Sequence, residues 1–284
     1  MNRFCIYGNP TIDIIKLEGG VEYVAYGGGS YYSSLPLLER GFEVRVYGVY
    51  TPLLVNHPIS RFMDKKQFST KSTIFVLEYV GNTRRLRVYE ASPPIHSWNM
   101  HAGLCYTIVN PVLGEVDLNL LRAVRLRSTA LALDVQGFIR EVVNGAVATA
   151  PRAEVFEALS QADVVHMDLE ECQSIGGSRD IERSAKVLAR FLRGAAVVTI
   201  PPDQVVILED STLKRVKFDE APLVRDSTGS GDYFLALFFV YYSTLLDAEE
   251  AAFKAHEGTT KWLIERETRS PLATSELQAQ IRPP

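Results

Sequence analysis

The sequence has no excess of positive charge. Its 30 Lys and Arg are outnumbered by 34 Asp and Glu, for a net charge of −4 at pH 7, so no nucleic acid or anionic membrane is expected as partner. Cysteine is scarce. Cys5, Cys105 and Cys172 lie far apart, are odd in number and form no CxxC pair, which argues against a disulfide framework and against a zinc site. Cys5 and Cys105 stand in apolar strand-like runs, where a small buried side chain is the favoured reading. Long hydrophobic runs are missing too. The longest, 233–246, contains Tyr and Ser and falls short of the ~20 residues of a membrane span. The first residues carry neither a long apolar stretch nor a small-residue cleavage site, so a cytoplasmic location is expected. No repeat, low-complexity tract or long linker interrupts the chain.

What is present is an ordinary globular composition, 46% hydrophobic and 23% charged over 284 residues. That is enough to bury a sizeable core, so disorder is excluded as the main state. Short β-branched runs at 4–8, 44–48, 105–110, 130–135, 164–167 and 197–200 read as buried strands. Amphipathic stretches lie between them. The clearest carries Ile181, Ala185, Leu188 and Leu192 at helical spacing, with Val187 and Phe191 widening the stripe and Asp180 as N-cap. This alternation predicts an α/β fold with a mostly parallel sheet and a ligand site beyond the carboxyl ends of its strands. Two segments break the pattern. Residues 11–17 and 21–26 flank Glu18-Gly19-Gly20, and 73–80 and 84–89 flank Gly81-Asn82-Thr83. Each reads as a hairpin. They are expected to form a small separate sheet, the alternative being an extension of the main sheet's edge. Arg84, Arg85 and Arg87 read as a solvated face.

The strongest chemical signal is Asp226-Ser227-Thr228-Gly229-Ser230-Gly231-Asp232, followed by an apolar run through Val240. It reads as a glycine turn opening a buried helix. Gly229 and Gly231 let backbone N–H groups converge, and such a nest at a helix N-terminus binds anions. Asp232, in the first helical turn, is placed to accept a proton from an attacking hydroxyl while the N–H groups stabilise a transferring phosphoryl group. The plainer reading is a helix cap; two acids bracketing the turn weigh against it. No Walker-type P-loop occurs.

Two further loops follow strand-like runs near the start. In Gly8-Asn9-Pro10-Thr11-Ile12-Asp13 an acid stands among isoleucines, which by itself reads as the solvent face of an alternating strand. Gly27-Gly28-Gly29-Ser30 precedes a helical run, as a close backbone approach to a ligand or as a hinge. In mid-chain, Asn110 to Glu115 and Asp134 to Arg140 each follow a strand, as site residues or as caps and turns.

The segment 226–232 resembles the D-T-x-G-A-G-D signature of the ribokinase-like (PfkB) family of sugar and nucleoside kinases, with Ser227 and Ser230 in place of Thr and Ala. The N-terminal loops match the same family in the expected order. The resemblance implies a three-layer α/β sandwich with a mostly parallel central sheet flanked by helices, over 1–284, plus a small β lid from about 11–26 and 73–89. It implies Asp232 as catalytic base and Gly229, Ser230 and Gly231 as anion hole. Asn9, Asp13, Gly28, Gly29, Ser30, Glu115, Gln136 and Arg140 would bind the acceptor. Thr199, Asp226, Thr228 and His256, with Gly229 and Gly231, would line ATP. Asp168 and Glu171 would serve Mg²⁺. Gly114-Glu115 with Asp134-x-Gln136-x-x-x-Arg140, and Tyr31-Tyr32-Ser33, look like the myo-inositol kinase branch.

The chain also departs from the family. Asp168 replaces the Asn of N-x-x-E, which favours a metal over bare phosphate. Thr199-Ile200-Pro201-Pro202-Asp203-Gln204 stands where relatives show T-x-G-x-x-G; proline removes backbone donors there and opens the question of another phosphoryl donor. The expectation is therefore an ATP-dependent kinase acting on a sugar or polyol, myo-inositol first. The alternatives are a nucleoside, ribose, fructose or keto-deoxy sugar acid as acceptor, or a non-catalytic ligand-binding relative. A monomer and a homodimer paired through the lid strands are both compatible with the sequence.

Overall fold

A computed structural model of the chain describes residues 2–268 apart from 81, 82, 219–223 and 225. In chain order its strands are β1 (Arg3–Tyr7), β2 (Thr11–Lys16), β3 (Glu22–Gly27), β4 (Glu43–Tyr47), β5 (Met63–Asp64), β6 (Thr73–Val80), β7 (Thr83–Glu90), β8 (Cys105–Val109), β9 (Ser128–Asp134), β10 (Arg140–Val143), β11 (Ala146–Thr149), β12 (Val164–Asp168), β13 (Ala195–Ile200), β14 (Gln204–Glu209) and β15 (Thr212–Lys217). The helices are α1 (Gly29–Glu39), α2 (Leu118–Arg125), α3 (Gln136–Ile139), α4 (Glu154–Gln161), α5 (Leu169–Gly176), α6 (Ile181–Leu188), α7 (Ser230–Leu245) and α8 (Ala248–Thr268).

The large sheet runs in the order β15-β14-β13-β12-β9-β8-β1-β4-β5. It is parallel from β5 to β13, and β14 and β15 add an antiparallel edge. Its side chains alternate between two cores, as the period of a strand requires. Phe4 and Ile6 face the layer of α1, α7 and α8, where Phe234 to Phe239 are buried. Cys5 and Tyr7 face the opposite layer, built on Leu120, Leu159, Ala185 and Leu188 of α2, α4 and α6. The result is the expected three-layer arrangement. No helix among the described residues is long and apolar enough to cross a membrane.

The small sheet runs in the order β10-β11-β7-β6-β2-β3. The two expected hairpins meet through the parallel pair β2 and β6, with Asp13 opposite Phe75. A third hairpin, β10 and β11, joins them through Ala146 and Arg87. Its turn is Asn144-Gly145, both at positive φ, the two-residue connection that matches strand twist.

Two expectations need correction. Cys5 and Cys105 are buried as expected but are joined by a disulfide. They are neighbours because parallel pairing of β1 and β8 sets Phe4 against Tyr106, a proximity that a separation of 100 residues conceals. The α6 helix begins at the Asp180 cap but ends at Leu188. The Arg190 and Phe191 amides close back on Val187 and Leu188 in tight turns, and Phe191 is left exposed. Residues 204–217, to which the sequence analysis assigns no element, form the antiparallel edge hairpin.

Candidate active site

The α7 helix starts at a glycine turn whose shape its neighbours impose. Gly229 has φ 82°, a conformation that side chains rarely tolerate. A Cβ there would also run into the Tyr32 ring, and one on Gly231 would come within 2.9 Å of His166 Cε1. The turn places the first N–H groups of a long helix, which have no intrahelical partners, at the positive end of its dipole; of the three expected anion-hole residues, Ser230 instead donates its N–H to the Ser227 carbonyl at 3.1 Å.

Asp232 lies in the first turn of α7. Its Oδ1 accepts hydrogen bonds from Asn110 Nδ2 at 2.9 Å and from Gln136 Nε2 at 3.1 Å. Gln136 Nε2 also donates to Asn110 Oδ1 at 2.9 Å, so the two amides brace each other and the carboxylate together. Ser33 on α1 donates to the Asp232 carbonyl at 3.2 Å. Burial and the charge of Asp134 push the Asp232 carboxyl up to about 6; the Asn110 hydrogen bond, His166 and Arg140 pull the other way. A base poised there is largely ionised at neutral pH yet still basic enough to take a proton.

A buried pair lies beside it. His166 Nδ1 is 2.7 Å from Asp134 Oδ2, and both side chains are shut off from water. Burial disfavours the imidazolium, but the Asp134 hydrogen bond and the charges of Asp134, Glu171 and Asp232 outweigh it and raise its pKa. His166 Nε2 stands 3.3 Å from Thr199 Oγ1.

Asp168 and Glu171 form a reciprocal capping box at the start of α5: Glu171 N donates to Asp168 Oδ1 at 2.8 Å, and Asp168 N donates to Glu171 Oε2 at 2.9 Å. The helix-cap reading is thus realised, with one oxygen of each carboxylate used. Burial, with the charges of Asp168 and Asp134, pushes the Glu171 carboxyl up to about 8. A hard divalent cation suits this donor set, since it would relieve the repulsion that holds the proton on.

The strand ends of the sheet deliver these residues. Asn9, Asn110, Asp134, Asp168 and Thr199 stand at or just past the carboxyl ends of β1, β8, β9, β12 and β13, where an open parallel sheet places its ligands. Asp13, which alternation alone would turn to solvent, is buried in β2 and accepts from Thr11 Oγ1 at 2.6 Å. Gly28 has φ 95°, and a Cβ there would lie 2.6 Å from the Asn9 carbonyl. The Ser30 hydroxyl is buried without a hydrogen-bond partner, a polar group in want of one. Arg140 Nη1 donates to the Val112 carbonyl at 3.0 Å.

Two residues expected to touch an acceptor are committed to backbone instead. Glu115 accepts from the amides of Asn9, Val112 and Leu113, and Asn9 Oδ1 accepts from Val49 N at 2.8 Å. They shape the floor of the site. Gln136 is turned toward Asp232. Asp226 Oδ1 accepts from Thr228 N at 2.8 Å, and its carboxylate meets the small sheet: Tyr23 donates at 3.0 Å and Tyr79 at 3.2 Å. His256 stacks on Phe218 with centroids 4.0 Å apart, beside a groove of about 680 Å³ that Phe253 and Lys254 also line.

Sequence reading passed over Asn110 as a ligand of Asp232, although a polar residue directly after a strand was the available signal. It also passed over Tyr23, Tyr79 and Arg266, which carry no local signal. A second cluster, Cys5, Cys105 and His101, is not a metal site: its sulfurs are bonded to each other, and the His101 nitrogens are engaged by Tyr7 Oη and the Arg127 carbonyl.

No family model and no curated protein matches the chain. Solved structures do. A pyrophosphate-dependent kinase of the ribokinase family, complexed with a pyrophosphate analogue and myo-inositol, superposes with a TM-score of 0.81 at 20% identity, covering 92% of this chain and 94% of its own. Adenosine kinase from Sinorhizobium meliloti superposes at 0.70 with 15% identity and 99% of each chain. Ribokinase from Thermotoga maritima superposes at 0.70 with 14% identity and 93% of each. The chain has the ribokinase-like fold.

Proposed function

We propose that the protein is a small-molecule kinase that transfers a phosphoryl group to a hydroxyl of a cyclic polyol, with myo-inositol the first candidate. The observation that carries this reading is Asp232, held by Asn110 and Gln136 on Oδ1 beside the glycine turn that opens α7. Asp232 takes the acceptor's proton as the hydroxyl oxygen attacks phosphorus. The N–H groups of Gly229 and Gly231 hold the phosphoryl oxygens in the transition state. Asp13 and Ser30 orient the acceptor, Gly28 and Gly29 let its ring approach the backbone, and Arg140 balances the acidic surroundings. Asp168 and Glu171 would hold Mg²⁺, whose charge would offset that of the donor phosphates.

For the donor, pyrophosphate is favoured over ATP. Pro201 and Pro202 leave two successive positions without an N–H at the loop after β13, where the resemblance places nucleotide contacts. An inorganic donor needs the anion hole and the metal but not that loop. The kinase with the 0.81 superposition is described as pyrophosphate-dependent and as complexed with myo-inositol, which supports both halves of the reading.

Phosphorus NMR of the product mixture tests it. Incubation with Mg²⁺, myo-inositol and pyrophosphate is expected to yield inorganic phosphate and a phosphomonoester in equal amounts. ATP yielding the same ester faster would overturn the donor assignment. An ester formed only from a nucleoside or an aldose would overturn the acceptor.

A further inference from the structure

Arg266 stands in the last turn of α8, about forty residues after the glycine turn, yet its guanidinium closes on that turn from behind. Nη1 donates to the Thr228 carbonyl at 2.6 Å, and Nη2 donates to the Asp226 carbonyl. Nη2 also lies 3.4 Å from Asp226 Oδ2. Its flat face rests on Trp262, 4.6 Å from the ring centroid. Trp262 stacks on Tyr233, at 4.6 Å and 11°, and Tyr233 is the residue after Asp232. The cation is therefore held at its fork by three oxygens and at its face by a ring fixed to the first turn of α7.

A trans peptide points its carbonyl and its N–H in opposite directions. A cation bound to the Thr228 carbonyl thus sits opposite the Gly229 N–H, on the far side of the same peptide plane. It fixes the plane's orientation and polarises the N–H toward whatever anion lies in front. Planar, always charged and armed with several donors, a guanidinium suits such divergent acceptors.

We propose that Arg266 is the built-in cation of the anion hole: a positioning residue that orients the Gly229 N–H and makes the enzyme independent of any dissolved monovalent cation. The proposal rests on the kinase reading for its catalytic part only. Two carbonyls and a carboxylate around one positive charge form an oxygen-lined site, so removing the side chain leaves a place that K⁺ or guanidinium can fill.

The test compares the full chain with R266A and R266K in potassium chloride and in tetramethylammonium chloride, whose cation is too large to enter, at equal ionic strength. Turnover and melting temperature are both read. Wild-type turnover and melting are expected to be the same in both salts. In tetramethylammonium, R266A is expected to lose kcat by ~30-fold or more with acceptor KM within twofold. Potassium or millimolar guanidinium should restore much of that loss and raise the variant's melting temperature. R266K, which keeps the charge, should retain more kcat than R266A. A wild type that needs potassium, or an R266A as active as wild type without it, would overturn the proposal. If the wild type turns over no acceptor, the kinase reading fails, and the melting arm still decides: stabilisation of R266A but not wild type by potassium supports the cation role, and its absence refutes it. R266Q, which removes the charge but keeps most of the side chain's length, serves the same comparison if R266A does not fold.

Discussion

Asn110 Nδ2 and Asp232 Oδ1 are 2.9 Å apart although 122 residues separate them in the chain. The contact joins the carboxyl end of β8 to the first turn of α7, so the sheet itself aims the base. A hydrogen bond to the charged form of a carboxylate lowers its pKa. N110A is expected to raise the Asp232 pKa above its value of about 6 and to cut kcat/KM by ~10-fold to 100-fold at pH 6. At pH 8, where either carboxyl is ionised, the loss should be smaller. A pH profile of kcat/KM for both proteins checks this.

The wild-type profile follows from the same group. A base must be unprotonated to work, so kcat/KM should rise with pH, bend near 6 and then level off. An acid limb near 4, the ordinary carboxylate range, would mean that the buried surroundings do not act on the reacting carboxyl in solution.

D232N should separate activity from stability. Loss of the base is expected to cost ~10²-fold to 10⁴-fold in kcat. The folded-state pKa is raised from 3.8 to about 6, so the protonated form is the one folding favours. Its contribution is fully present below pH 3.8 and is lost as pH rises through 6. Asparagine carries no charge at any pH, so the variant should melt about 2–4 °C above wild type at pH 8, for a change on the order of 1 kcal/mol. The difference should vanish at pH 4. Calorimetric scans at the two pH values measure it.

Gly229 tests the turn. Its φ of 82° and the Tyr32 ring leave no space for a side chain. G229A is expected to destabilise the fold by about 1–3 kcal/mol and to weaken pyrophosphate binding more than inositol binding. Titration calorimetry with each ligand separates the two effects.

Chelation with EDTA should abolish turnover, and added Mg²⁺ should restore it. E171A is expected to raise the Mg²⁺ concentration for half-maximal rate by ~10-fold while leaving inositol affinity within twofold.

Much of this could be read in the sequence because local signals carried it. The apolar run after Asp232 predicts a buried helix, and Tyr233 to Val240 are buried. The strand-helix alternation predicts the parallel sheet, and six expected strands lie in it. What escaped depends on distance along the chain. Cys5 meets Cys105 only because β1 pairs with β8. Arg266 carries no local signal of a role, and Tyr23 and Tyr79 sit in runs that read as ordinary strands. Each gains a role from an element that folds back from far away. The β10 and β11 hairpin is different: Asn144-Gly145 was a local signal and went unread. Asn9 and Glu115 show the reverse error, since polar residues at strand ends can serve the backbone as readily as a ligand.

The most direct measurement is acceptor-dependent release of phosphate from Mg-pyrophosphate by wild type and D232N side by side, with myo-inositol as acceptor. The expected result is steady turnover that requires myo-inositol and falls at least a hundredfold in D232N. Equal rates with and without acceptor, or a D232N protein as fast as wild type, would contradict phosphoryl transfer through Asp232.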